Sequence, residues 1–372
     1  MNAVAPGVGG GVEPVGGAGA VAGDRVRSVA MDVLKGLAML GVLAQHAIPG
    51  ATLHGLWDVL WIDQAVPVFL VLIAFNAAGS FRRSGARSLR ELYSGAYLVS
   101  RLRRLVLPAV VVYAFIAVVA AMQGRLHLGP LVLLGAAPID GGAPGDYFVG
   151  LVVGLALLLP AAWAAYLRAP RLTLAGLLAV GVLCELSARG LWYGSGAGVY
   201  LDVADPLRAA GAVAAGFWLA AAGGPRAVLA NASARRTLIA GALVSLSYLV
   251  ALQIDTVYGD GSAFDVLYPN FTRATGVFAV GWSLLIVIVG LVVLEPRGRA
   301  AKWVARPLSE LGRASYHVFL VQAAVFGLWG VAGVGRSVLK AVAACVVGWG
   351  FWRLDARATG SAVRARLTGR AS

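Results

Sequence analysis

Apolar positions along this chain gather into runs of roughly 17 residues or more that are nearly free of charge, about what a helix needs to cross a hydrocarbon core of ~30 Å. The runs lie at 29–48, 63–81, 105–122, 147–166, 172–190, 207–223, 236–253, 274–294, 314–333 and 335–352. One further apolar stretch, 128–138, is too short to span and is expected to be interfacial or re-entrant. The pattern predicts an all-α, polytopic integral membrane protein with about ten transmembrane helices. Composition agrees: 59% of the residues are hydrophobic, 13% are charged and the mean hydropathy is +0.81. A soluble domain cannot hide that much apolar surface, whereas lipid accepts it on every face of a helix.

The segments between the runs are short. Loops at 82–104, 123–146, 191–206 and 254–273 leave no room for a soluble domain. Three parts are expected: a disordered Gly/Ala-rich tail over 1–26, a membrane domain over 27–353 and a basic tail over 354–372. The first 23 residues contain no Lys or Arg, so they lack the basic start of a signal peptide.

A formal net charge of +14 would point to nucleic acid in a soluble protein. Its distribution says otherwise. Arg25 and Arg27, the seven Arg from Arg82 to Arg104, Arg168, Arg171, Arg226, Arg235, Arg236, the group from Arg297 to Arg313 and the tail from Arg353 to Arg370 fall in every second segment between spans, and so on one side of the membrane. Asp58, Asp63, Asp140, Asp146, Asp202, Asp205, Asp255, Asp260 and Asp265 fall mostly on the other side. This is the positive-inside asymmetry, and it predicts cytoplasmic N- and C-termini. The partner implied is the lipid bilayer of the cell membrane, with no role for nucleic acid. Cys184 and Cys345 lie in apolar runs and are expected to be small buried hydrophobes, not a disulfide or metal ligands. No metal-spaced His/Cys cluster, Gly-rich phosphate loop or Gly-x-Ser-x-Gly elbow occurs.

Ionisable residues inside spans are costly in lipid and stand as functional candidates. The first span holds Asp32, Lys35 and His46. On an α-helix, Lys35 and His46 are offset by about 20° and separated by about 16 Å of rise, so they share a face. Asp32, three residues before Lys35, can pair with it. The alternative is a snorkelling lysine and an interfacial histidine. Arg101 and Arg104 precede Pro108 at i,i+3 and offer two forked donors suited to phosphate, or else form a basic flank. Asp63 opens the second span, where the helix dipole favours a carboxylate that can also orient a histidine. Tyr316 and His317 open the ninth span, and Gln322 lies deeper, where a polar group should face protein or a cavity. His54 and His127, in loops, receive no role.

At these residues the chain resembles membrane acyltransferase family 3, which includes many bacterial O-acyltransferases. That family places an Arg or Lys, ten residues, then a His in its first span, matched by Lys35 and His46 in MDVLKGLAMLGVLAQHA. VPVFLVLIAFNAAGSFRR is similar to its second-span segment, Arg101, Arg104 and Pro108 to its Arg-x-x-Arg before a proline, and SYHVFLVQ to its late Ser-Tyr motif. The resemblance covers residues 29 to 330. Gln322 stands where the family often has His, Phe75-Asn76 where it usually has a Ser-Gly-Phe context, and Lys35 where Arg is commoner.

The resemblance implies transfer of an acyl group, expected to be acetyl, from cytoplasmic acyl-CoA as co-substrate to a hydroxyl of a glycan, glycolipid or glycosylated small molecule. His46 would be the general base, oriented by Asp63. Lys35, Arg101 and Arg104 would hold the CoA phosphates, and Asp32, Tyr316 and Gln322 would support them. Two rivals remain: a carrier or translocase for a glycolipid or small solute, with the same charges lining a path, and a scaffold or sensor.

Overall fold

A computed structural model of the protein describes residues 28–191, 204–258, 276–296, 298–329 and 334–367. The expected N-terminal tail, most of the loops at 191–206 and 254–273 and the last residues of the basic tail lie outside the described residues. Among the described residues there is no strand, only an isolated bridge between Leu126 and Ile139.

Among the described residues ten principal helices follow one another: α1 (Val29–Ala47), α2 (Ala65–Ser84), α3 (Leu107–Met122), α4 (Tyr147–Arg168), α5 (Pro170–Leu191), α6 (Ala210–Ala221), α7 (Ala232–Tyr258), α8 (Val280–Val293), α9 (Arg299–Trp329) and α10 (Val334–Leu367). Each expected apolar run thus holds a helix. Among the described residues, six are long and apolar enough to cross a membrane: α1, α2, α3, α4, α7 and α10, with α2 and α3 counted together with the turns that lead into them. Three of the others differ for visible reasons. Helices α6 and α8 have only 12 and 14 residues, and the first half of α9 carries Arg306, Glu310 and Arg313. Helix α10 runs on through much of the expected basic tail. The 128–138 stretch makes a short helix, Pro130–Leu133, between turns.

Local chemistry sets several ends. Ser28 caps α1 by accepting from the Met31 amide, and Pro49 follows its C-cap residue, Ile48. Gly85, at φ 68°, closes α2 in the left-handed region. Packing then relies on small residues, because helices in lipid gain by close van der Waals fit more than by a hydrophobic force. Helix α1 crosses α9 backbone to backbone: a Cβ on Gly36 would lie 2.2 Å from the Leu308 carbonyl oxygen, and one on Gly312 would lie 1.7 Å from that of Asp32. Helix α6 lies against α2 in the same way, through Gly216 against Ala74. The main core joins α1, α2, α4, α6, α8 and α9 around Met39, Val71, Leu72, Phe217 and Val318, all fully buried. A second cluster ties α3 to α9 through Ile116 and Leu320.

Candidate functional site

Helix α1 carries His46 to its C-terminal end, where the chain breaks at Ile48 and Pro49 and doubles back toward α2. The returning segment is fixed from behind. Gln253 of α7 donates to the His54 carbonyl at 2.7 Å, Trp282 of α8 to that of Leu60 at 2.7 Å, and Ser283 to the side chain of Gln64 at 2.6 Å. Trp57 there takes a left-handed φ of 56°, rare for a bulky residue. These ties place His54, Asp58 and Asp63 around the end of α1.

A cavity of about 390 Å³ opens at this end of the bundle. Its polar wall is Gln45 and His46 from α1, His54, Asp58 and Asp63 from the returning segment, Tyr147 at the start of α4, Glu185 of α5, and Asp205 and Arg208 before α6. Gln45 donates to Asp63 Oδ1 at 2.6 Å, which locks the turn carrying His46 to the entry of α2. Asp63 therefore acts on the neighbour of His46 through this bond. His54 Nδ1 lies 3.4 Å from Asp58 Oδ1. Arg208 and Glu185 form an ion pair at 2.8 Å, with the Glu185 side chain wholly buried.

The loop before α4 closes over His46. Asp146 Oδ2 accepts from the amides of Ala137 and Ala143, at 2.9 and 3.2 Å. Burial pushes the Asp146 carboxyl above its ordinary value, against the pull of those amides. The fold so made brings Gly145 (φ 80°) against His46 and Phe319: a Cβ there would lie 3.5 Å from His46 Nε2 and 3.0 Å from the Phe319 ring. The Phe326 ring stands 6.3 Å from that of His46. Between Phe319 and Phe326 on α9 lies Gln322, fully buried; its Nε2 donates to the Pro144 carbonyl at 3.4 Å, and its Oε1 is buried without a hydrogen-bond partner among the described residues.

The remaining candidates gather at the opposite end. Lys35 is half-buried on α1, about 16 Å from His46 by helix rise. Asp32, 1% exposed, pairs across the α1–α9 crossing with Arg313 at 3.1 Å. Arg101 is half-buried, with its guanidinium 4.9 Å from the centre of the Tyr97 ring, and Arg104 is exposed. Between Arg101 and α3 the chain makes a π turn, Leu102–Val106. Pro108 gives the reason, since its ring has no N–H to donate and crowds the carbonyl four residues back. A π turn closes i→i+5 bonds, so the i,i+3 alignment expected for Arg101 and Arg104 on an α-helix is opened out. Tyr316 of α9 holds the turn, its hydroxyl donating to the Leu105 carbonyl at 2.7 Å. His317 beside it contacts Asp355 of α10 at 3.2 Å and packs on Phe351.

Residues 28–352 match the family described as an acyltransferase domain. The chain belongs to the acyltransferase 3 family. No curated protein and no solved structure matches it. The acyltransferase thus keeps His46 and Asp63 on one cavity, with Arg101, Arg104 and Tyr316 grouped near the other end. Sequence reasoning missed Gln45, His54, Asp58, Tyr147, Glu185, Asp205 and Arg208. Glu185 carried a signal, because it is a lone acidic residue within the run at 172–190. Among the described residues no group of three or more His, Cys, Asp and Glu is placed to hold a metal, and Cys184 and Cys345 are half-buried and not joined in a disulfide.

Proposed function

We propose that this acyltransferase moves an acyl group, acetyl by expectation, from acyl-CoA to a hydroxyl of a sugar-containing acceptor, with His46 as general base. It would do so in the cell membrane, crossing it ten times with both termini cytoplasmic. The observation that carries the proposal is the pairing of His46 with a polar cavity that presents four carboxylates, those of Asp58, Asp63, Glu185 and Asp205. Carboxylates accept hydrogen bonds from the hydroxyls a sugar offers. At the other end, Arg101, Arg104 and Lys35 provide cationic donors for the phosphates of CoA.

The chemistry follows from these places. His46 takes the proton of the acceptor hydroxyl as its oxygen attacks the thioester carbonyl. The C–S bond breaks, the new C–O ester bond remains, and the imidazolium returns the proton to the leaving CoA thiolate. Gln45 and Asp63 hold the end of α1 in position. Gln322 Oε1, buried beside Phe319, is an acceptor available to the incoming hydroxyl or to the amide of the pantetheine arm.

The test is release of free CoA from acetyl-CoA by the purified protein in detergent with a mixed glycan extract, wild type against His46→Ala. Release lost in the variant supports the enzyme and its base together. No release by wild type removes the acyl-CoA proposal and favours the carrier. Release that survives His46→Ala removes the base.

A further inference from the structure

We infer that an apolar groove between α3 and α4 holds the hydrocarbon tail of a membrane-anchored acceptor whose hydroxylated head occupies the His46 cavity. The inference rests on the acyltransferase proposal above and names the class of acceptor. The groove has a volume of about 870 Å³, more than twice that of the polar cavity, and within the range of ligand sites. Its walls are Val110, Ala114 and Ala117 of α3 and Val153, Gly154 and Leu157 of α4. The short helix Pro130–Leu133 covers one end, tied down where Tyr113 donates to the Gly135 carbonyl at 2.6 Å.

Three features point to a tail and to its source. Both walls belong to helices able to span a membrane, so the neighbouring solvent is lipid chain. The walls are almost wholly apolar, so a free sugar gains nothing there. The groove and the polar cavity meet at Asp205, which lines both, beside Pro206 seated against Gly154. Asp205 Oδ1 already accepts from the Leu207 amide at 2.8 Å, and a carboxylate has further lone pairs for a hydroxyl at the junction of head and tail. A fatty thioester has no donor at the corresponding point, which favours the acceptor's tail over the donor's acyl chain.

The test is photolabelling in nanodiscs with a single-chain alkyl glucoside that carries a diazirine near the end of its chain. Labelled peptides are mapped by mass spectrometry. Label concentrated on residues 106–117 and 149–157, competed by unlabelled alkyl glucoside but not by glucose, supports the groove. Loss of that label in Ala114→Trp, and separately in Val153→Trp on the facing wall, is the second expected result; each variant is first shown to elute as wild type does. Label spread evenly over lipid-facing residues such as Val244 of α7 and Val346 of α10 overturns it, as does competition by long-chain acyl-CoA instead of alkyl glucoside. Labelling needs no turnover, so a failure of the CoA-release assay and a failure here are separate results.

Discussion

Gln45 donates a 2.6 Å hydrogen bond to Asp63, and this bond joins the turn that carries His46 to the start of the next helix. Helix ends fray unless tied, and a catalytic base gains only while it is held in reach of its proton. Asp63→Asn keeps an acceptor oxygen and is expected to lose little. Asp63→Ala leaves the Gln45 amide without its acceptor, a cost of about 1–3 kcal/mol. Felt in the transition state, that is roughly a ten- to hundredfold drop in kcat, at about 1.4 kcal/mol per factor of ten. The check is steady-state turnover with acetyl-CoA, and the KM for acetyl-CoA should not move. Wild-type kcat in Asp63→Ala would remove the positioning role.

The Glu185–Arg208 pair is a separate liability. Two charges taken out of water repay their desolvation only by each other, so removing one partner costs about 3–5 kcal/mol while replacing both often costs little. Arg208→Met alone should lower the thermal midpoint sharply in detergent. Glu185→Met with Arg208→Met should recover most of the loss in stability without restoring turnover. If the single and double variants melt together, the pair does not hold α5 to the start of α6.

Glycine positions give a contrast that needs no knowledge of substrate. Gly36→Ala and Gly312→Ala place a Cβ on backbone atoms of the facing helix, which cannot swing away. Both should yield aggregated protein in size-exclusion chromatography. Gly176→Ala in α5 meets open space, and relief of glycine's entropy in a helix interior should stabilise by about 0.5–1 kcal/mol. A raised melting point for Gly176→Ala, beside loss of folded Gly36→Ala, is the expected pair of results.

Periodicity reached the helices because apolar runs are local, and each of the ten holds one. It reached Lys35 and His46 because both lie on one helix whose rise fixes their separation. It did not reach partners that arrive from far along the chain. Asp32 is met by Arg313, and Gln64 by Ser283, through crossings that no local spacing encodes. Glu185 was legible as a buried charge, but its partner Arg208 lies beyond a loop. The π turn was hidden for a different reason: Pro108 marks the place where an α-helix is disturbed, while the form the disturbance takes depends on Tyr316.

That dependence yields the last prediction. Tyr316→Phe removes the hydroxyl that satisfies the Leu105 carbonyl, worth about 0.5–1.5 kcal/mol. The π turn is then free to shift toward α-helix, and Arg101 and Arg104 move relative to one another. If they hold the phosphates of CoA, the KM for acetyl-CoA should rise roughly three- to tenfold with kcat nearly unchanged, the mark of lost uniform binding. Arg101→Ala with Arg104→Ala should raise it further. Salt separates charge from geometry, since ion pairs near the surface are screened over about 10 Å at 0.1 M. In wild type and Tyr316→Phe the KM should climb with ionic strength, whereas in the double arginine variant it should start high and stay flat. A steep salt dependence that survives loss of both arginines would assign the phosphates to other cations, and Lys35 would be the next to replace.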